Sequence, residues 1–129
     1  MATDVKTLRF RRELRSEIDR IAKRSRRSFS EVTQDLLEEA LRMRKCPGIY
    51  FHDEPAGREA KIAGTGLGVW EVINVYKTGS RSAKTLKKHF HWLSEAQLKA
   101  ALTYYQAWPE EIDDLVEDNQ SAALEVPEA

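Results

Sequence analysis

The sequence predicts a mainly α-helical protein: an N-terminal strand and two helices, then a small β-hairpin and a helical bundle with a helix-turn-helix-like arrangement. Three observations predict it. Apolar side chains recur at helical spacing through most of the 129 residues. Strand patterns are confined to Val5–Arg11 and to two short runs around a turn-forming stretch at 54–57. Capping-box and Gly/Pro stop signals bracket the helical stretches.

The first strand alternates strictly: Val5-Lys6-Thr7-Leu8-Arg9-Phe10-Arg11. Leu8 and Phe10 share one face, Thr7, Arg9 and Arg11 the other. Leu14, Ile18, Ile21 and Ala22 then mark a short amphipathic helix, ended by Lys23-Arg24-Ser25-Arg26-Arg27. Ser28-Phe29-Ser30-Glu31 has capping-box form and opens a second helix with Val32, Leu36, Leu37, Ala40 and Leu41 on one side. Pro47-Gly48 lies just beyond its end. Ile49–His52 and Glu59–Ala63 read as a hairpin around Glu54-Pro55-Ala56-Gly57. Gly64-Thr65-Gly66-Leu67-Gly68 leads into a helix bearing Val69, Val72, Ile73 and Tyr76, with Gly79 as its stop. A helix over 82–90 carries Ala83, Leu86 and Phe90. The next opens at Ser94, capped with Gln97, and runs to Trp108. After Pro109, Ile112, Leu115 and Val116 form one more short helix. The expected domains are 1–46, 47–118 and an acidic, disordered tail at 119–129.

A net charge of zero conceals a division. Residues 1–45 hold 13 Lys/Arg against 8 Asp/Glu, residues 46–108 hold 8 against 5, and residues 109–129 hold none against 8. A basic head suits a polyanion, and an acidic terminus suits water or a basic partner. The single cysteine, Cys46, excludes an internal disulfide. No leader or apolar run of spanning length is visible, so the expectation is a soluble, cytoplasmic protein that does not engage membranes.

The N-terminal strand has no partner in its own chain, and neither short helix buries its stripe alone. A second copy resolves both. Two strands pair antiparallel across a two-fold axis over a shared core of Leu8, Phe10, Leu14, Ile18, Ile21, Val32, Leu36 and Leu37. The opposite face becomes a two-stranded ribbon of a size that enters the DNA major groove. Against this stands a plainer reading, in which Arg9 and Arg11 form a solvated face and 24–27 a charged loop.

Residues 6–45 resemble a ribbon-helix-helix DNA-binding domain of the type found in bacterial repressors and antitoxins. The resemblance implies that Val5, Thr7 and Arg9 face the bases, and that Ser28, Phe29 and Ser30 anchor a phosphate. The latter also follows from the free N–H groups and positive dipole end of a helix N-terminus. Arg11, Lys23, Arg24, Arg26 and Arg27 are the further phosphate candidates.

The middle segment offers no catalytic set. Gly64-Thr65-Gly66-Leu67-Gly68 is not a dinucleotide or P-loop spacing and reads as a tight turn. His89 and His91 lack ligand partners at metal-site spacing, and one is expected to face the core, the other solvent. Cys46 shows no sign of a nucleophile. Hence no enzyme, metal or cofactor is expected. The helix from Ser94 to Trp108 carries one Lys and one Glu, a poor DNA reader, while Lys77, Arg81, Lys84, Lys87 and Lys88 sit before it. Trp70, Trp92, Trp108 and the Tyr104-Tyr105 pair are core or interface anchors, with core the default.

Residues 47–116 resemble domain-of-unknown-function family 433, found in bacterial antitoxins. The stretches that carry this are Ile62-Ala63-Gly64-Thr65-Gly66-Leu67-Gly68-Val69-Trp70, Lys77-Thr78-Gly79, Leu93-Ser94-Glu95 and Ala100-Ala101-Leu102-Thr103-Tyr104-Tyr105. Where the family commonly has Gly-Thr-Arg, this chain has Gly64-Thr65-Gly66, so no role of that arginine carries over. Together the two resemblances imply a type II antitoxin that represses its own operon and neutralises a co-encoded toxin of PIN-like ribonuclease fold. Asp113, Asp114, Leu115, Val116, Glu117 and Asp118 are then the expected toxin-binding residues. The alternative is a stand-alone ribbon-helix-helix regulator whose C-terminal domain oligomerises or senses a ligand. An RNA-binding accessory protein is a third.

Overall fold

The computed structural model describes residues 3–125, and side chains as far as Gln120. It is mainly helical, with six helices and one two-stranded antiparallel sheet among the described residues. The helices are α1 (Arg12–Ser25), α2 (Phe29–Lys45), α3 (Val69–Thr78), α4 (Ala83–His89), α5 (Glu95–Ala107) and α6 (Pro109–Glu125). The strands are β1 (Ile49–Glu54) and β2 (Gly57–Ile62). The chain divides into two compact units, Met1–Leu41 and Arg42–Ala129. The expected boundary at 46/47 therefore moves into α2, because Arg42 makes its contacts with Tyr104, Trp108 and Glu111 of the second unit.

In the first unit, residues 3–11 form neither helix nor strand. A strand needs another backbone to pair with, and the two strands of the described chain, β1 and β2, pair with each other. Helix α1 stops where Arg26 takes a left-handed conformation (φ 55°), letting the Arg27 N–H donate to Ala22 C=O at 3.0 Å. The Ser25 hydroxyl donates to Ile21 C=O (2.7 Å). Among the described residues of this unit only Ile18, Ala22 and Val32 are buried, with half-buried Phe10 and Phe29 packed on them. Those two rings meet edge to face at 5.4 Å. Leu8, Leu14, Ile21, Leu36 and Leu37, expected in a dimer core, are exposed in the single chain.

The second unit has a core of its own. β1 pairs with β2 in the register Ile49↔Ile62 to Glu54↔Gly57, closed by Pro55-Ala56, and Gly57 sits at φ 128° where a side chain would be strained. Ile62, Val69, Val72, Ile73, Leu86, Ala101, Tyr104 and Ile112 are fully buried, and α3 packs against α4, α5, α6 and β2. Gly64-Thr65-Gly66 is a tight turn, as its composition predicts. Thr65 Oγ1 donates to Ile62 C=O (2.8 Å) and accepts from Leu67 N–H (2.9 Å). Gly68 allows a close approach: a Cβ there would lie 2.5 Å from Glu59 Oε1 and 2.8 Å from the Trp70 ring. In the absence of a side chain, the Trp70 indole N–H donates to Glu59 Oε1 at 2.6 Å. The Gly68 N–H donates to the Glu71 carboxylate (2.8 Å), which caps α3.

Two expectations are corrected here. Both His89 and His91 are exposed, because Leu86, Phe90 and Leu93 take the inward positions around them. Helix α6 runs on to Glu125 through residues expected to be a disordered tail; Gln120, Ala122, Ala123 and Leu124 favour helix, and no Gly or Pro intervenes before Pro127. Residues 126–129 lie outside the described part.

Candidate nucleic-acid interface and the acidic helix

Helix α2 opens as its sequence predicts. Ser28 Oγ accepts the Glu31 N–H (3.0 Å), while the Ser28 N–H donates to Glu31 Oε1 (3.2 Å). That backbone hydrogen bond, with help from Arg27, holds the Glu31 carboxyl below its usual pKa. The Ser30 hydroxyl is also engaged, accepting from Gln34 Nε2 at 3.0 Å. A phosphate at this end would thus meet the first-turn N–H groups of Phe29 and Ser30 beside an ionised Glu31, rather than two free hydroxyls.

The basic residues divide. Arg27 hydrogen-bonds to Asp35 and lies 3.6 Å from Glu31, so its guanidinium is committed within the unit. Asp35 before all else raises its pKa. By contrast Arg9, Arg11, Lys23, Arg24 and Arg26 are exposed and form no ion pair among the described residues. Val5 and Thr7 are exposed as well. These exposed cations, beside an uncovered apolar face, are an electrostatic footprint suited to a polyanion.

The second unit rearranges the acidic candidates. Asp113 accepts from Lys77 Nζ (2.8 Å) and from the Tyr105 hydroxyl (2.8 Å). Lys77 first, then Tyr105, lowers its pKa, and the same contact raises that of Lys77. Val116 is buried beside Ile112, and Leu115 is half-buried on the same core. Asp113, Leu115 and Val116 therefore hold α6 in place. Asp114, Glu117 and Asp118 are the members of the expected toxin-binding set that stay exposed.

Sequence reasoning missed a second fastening. Arg42 Nη1 donates to the buried Tyr104 hydroxyl and to Glu111 Oε1, each at 2.8 Å, and Tyr104 donates in turn to Glu111 Oε2. Burial, and then the bond to Glu111, pushes the Tyr104 pKa well above its ordinary value. The Arg42 guanidinium also lies 4.4 Å from the Trp108 ring centroid. Only the acid at the start of α6 and the Tyr-Tyr pair hinted at it; the arginine lies 62 residues from Tyr104.

Cys46 is fully buried, and desolvation raises its thiol pKa, the opposite of an activated nucleophile. Among the described residues no group of three or more His, Cys, Asp or Glu is placed to hold a metal, and no helix is long and apolar enough to cross a membrane. Comparison with protein-family models, curated proteins and solved structures finds no match to this chain.

Proposed function

We propose that this protein is a homodimeric, sequence-specific DNA-binding regulator of the antitoxin kind. The observation that carries the reading is the first unit's mismatch between stripe and cover. Leu8, Leu14, Ile21, Leu36, Leu37 and Leu41 are exposed, while three of the described residues are buried. A second copy would cover that face and bring the two 5–11 segments together as a ribbon, the ribbon-helix-helix arrangement that residues 6–45 resemble. Arg9, Thr7 and Val5 would then address base edges. Arg11, Lys23, Arg24 and Arg26 would address phosphates, with Arg27 a bracing residue. A toxin would be met by Asp114, Glu117 and Asp118 on the open side of α6.

Selection from random duplexes tests the reading. The expected product is a two-fold symmetric site whose discrimination falls by about 1–3 kcal/mol per lost base contact in Arg9→Ala. Binding indifferent to Arg9 would remove the protein from the sequence-specific class. A nuclease-like gene adjacent to this one, whose product the chain binds and silences, separates the antitoxin from a stand-alone regulator.

A further inference from the structure

The turn between α4 and α5 is pinned from inside. Phe90 and Leu93 are buried, and the Leu93 N–H donates to Phe90 C=O at 3.0 Å. Trp92, between them, is turned outward and 60% exposed. Its ring packs edge-on against Phe90 (5.6 Å) and His91 (5.2 Å), which steadies the indole without covering it. Beside it, residues 83–93 contain three lysines and no acid. Lys87 is spent on Glu95 (2.7 Å), but Lys84 and Lys88, one turn apart on α4, form no ion pair among the described residues.

We propose that this corner of the second unit binds single-stranded nucleic acid, with Lys84 and Lys88 on phosphates and one unpaired base stacked on Trp92. The chemistry of the surface selects the class. Two cations one turn apart on α4, followed four residues on in the chain by an open π face, complement a strand that alternates phosphate and base, and base stacking is indifferent to sequence. A duplex keeps its base faces stacked and offers nothing to the indole. A membrane surface needs a broad apolar face, whereas Trp92 is the sole exposed large hydrophobic described within 44–120. The inference does not depend on the duplex binding proposed for the first unit.

The test uses the full chain, its tryptophan emission, short oligouridylate and oligothymidylate, and a duplex of equal length. Both single strands quench the emission; tighter binding of the RNA would add a contact to the 2′-hydroxyl, and equal binding would assign the site to stacking and phosphate alone. Trp92→Ala weakens single-strand binding by roughly tenfold, and Trp92→Phe recovers most of it. The Lys84→Ala, Lys88→Ala double variant reduces the salt slope by about 1–2. None of these changes alters duplex affinity. Should Trp92→Ala lower the melting temperature, the lysine variant, confined to exposed side chains, carries the test. Single-strand affinity unchanged in both variants would overturn the proposal. So would an emission shift on phosphatidylserine vesicles without any on oligonucleotides.

Discussion

The two units differ in how much of their own apolar surface they cover. Among the described residues, sixteen buried side chains make the core of Arg42–Ala129, against three in Met1–Leu41. The difference lies in the number of layers available. In the second unit β2 and three helices, α4, α5 and α6, pack around α3. The first has two helices, which shield one line of contact and leave the outer stripes to water. A unit of that kind reaches stability by association, and association is also what the proposed duplex binding would require.

Charge separates the units in the same direction. The first keeps cations unpaired at Arg9, Arg11, Lys23, Arg24 and Arg26. The second commits Lys61 to Glu54, Lys77 to Asp113 and Arg42 to Glu111. These pairs of the second unit fasten one element to another, whereas the first unit's pairs, Arg15 to Asp19, Arg20 to Glu17 and Arg27 to Glu31 and Asp35, are local.

The largest expected effect breaks the first unit alone. Leu36→Asp places a charge on the uncovered face, so dimerisation and duplex binding are lost while the second unit keeps its melting transition. Sedimentation and calorimetry on one sample check both. The converse change is Ile73→Ala, which opens a cavity in the second unit at a cost of about 2–5 kcal/mol. Its lowered transition leaves the dimer and its DNA affinity intact.

The smallest effect is in pH. Asp113 has a lowered folded pKa, so its contribution is full above the ordinary 3.8 and is lost as pH falls through the folded value. Lys77 has a raised one, so its contribution is full below 10.5 and is lost above. Tyr104 adds to the alkaline limb, since its neutral form is favoured on folding. The fastening of α6 is therefore level through neutrality and weakens below about pH 4 and above about pH 10. Lys77→Met removes most of the acid limb, measurable as a flatter melting temperature below pH 4.

What was legible in the sequence was local. The capping boxes at Ser28 and Ser94, the hairpin around Pro55-Ala56 and the stop at Gly79 each follow from residues a few positions apart, and each is present. Residues 5–11 alternate as a strand does yet form none here; in the proposed dimer their pairing would rest on a second backbone, which no pattern within the chain supplies. The joint of Arg42, Tyr104 and Glu111 was illegible because its members lie far apart and are ordinary singly. The acidic candidates divide for a different reason. The spacing of Ile112, Leu115 and Val116 that marked a helix also marked the face that helix buries, and Asp113 beside it is engaged by Lys77 and Tyr105.

Hydrogen exchange on the full chain at a series of concentrations tests the central claim, that the first unit is held together by a second copy. The prediction is that amide protection in α1 and in α2 up to Leu41 falls with dilution in step with the dimer fraction, while protection in β1, β2 and α3 stays constant. Protection around Ile18 and Val32 that persists in a chain sedimenting as a monomer would contradict it.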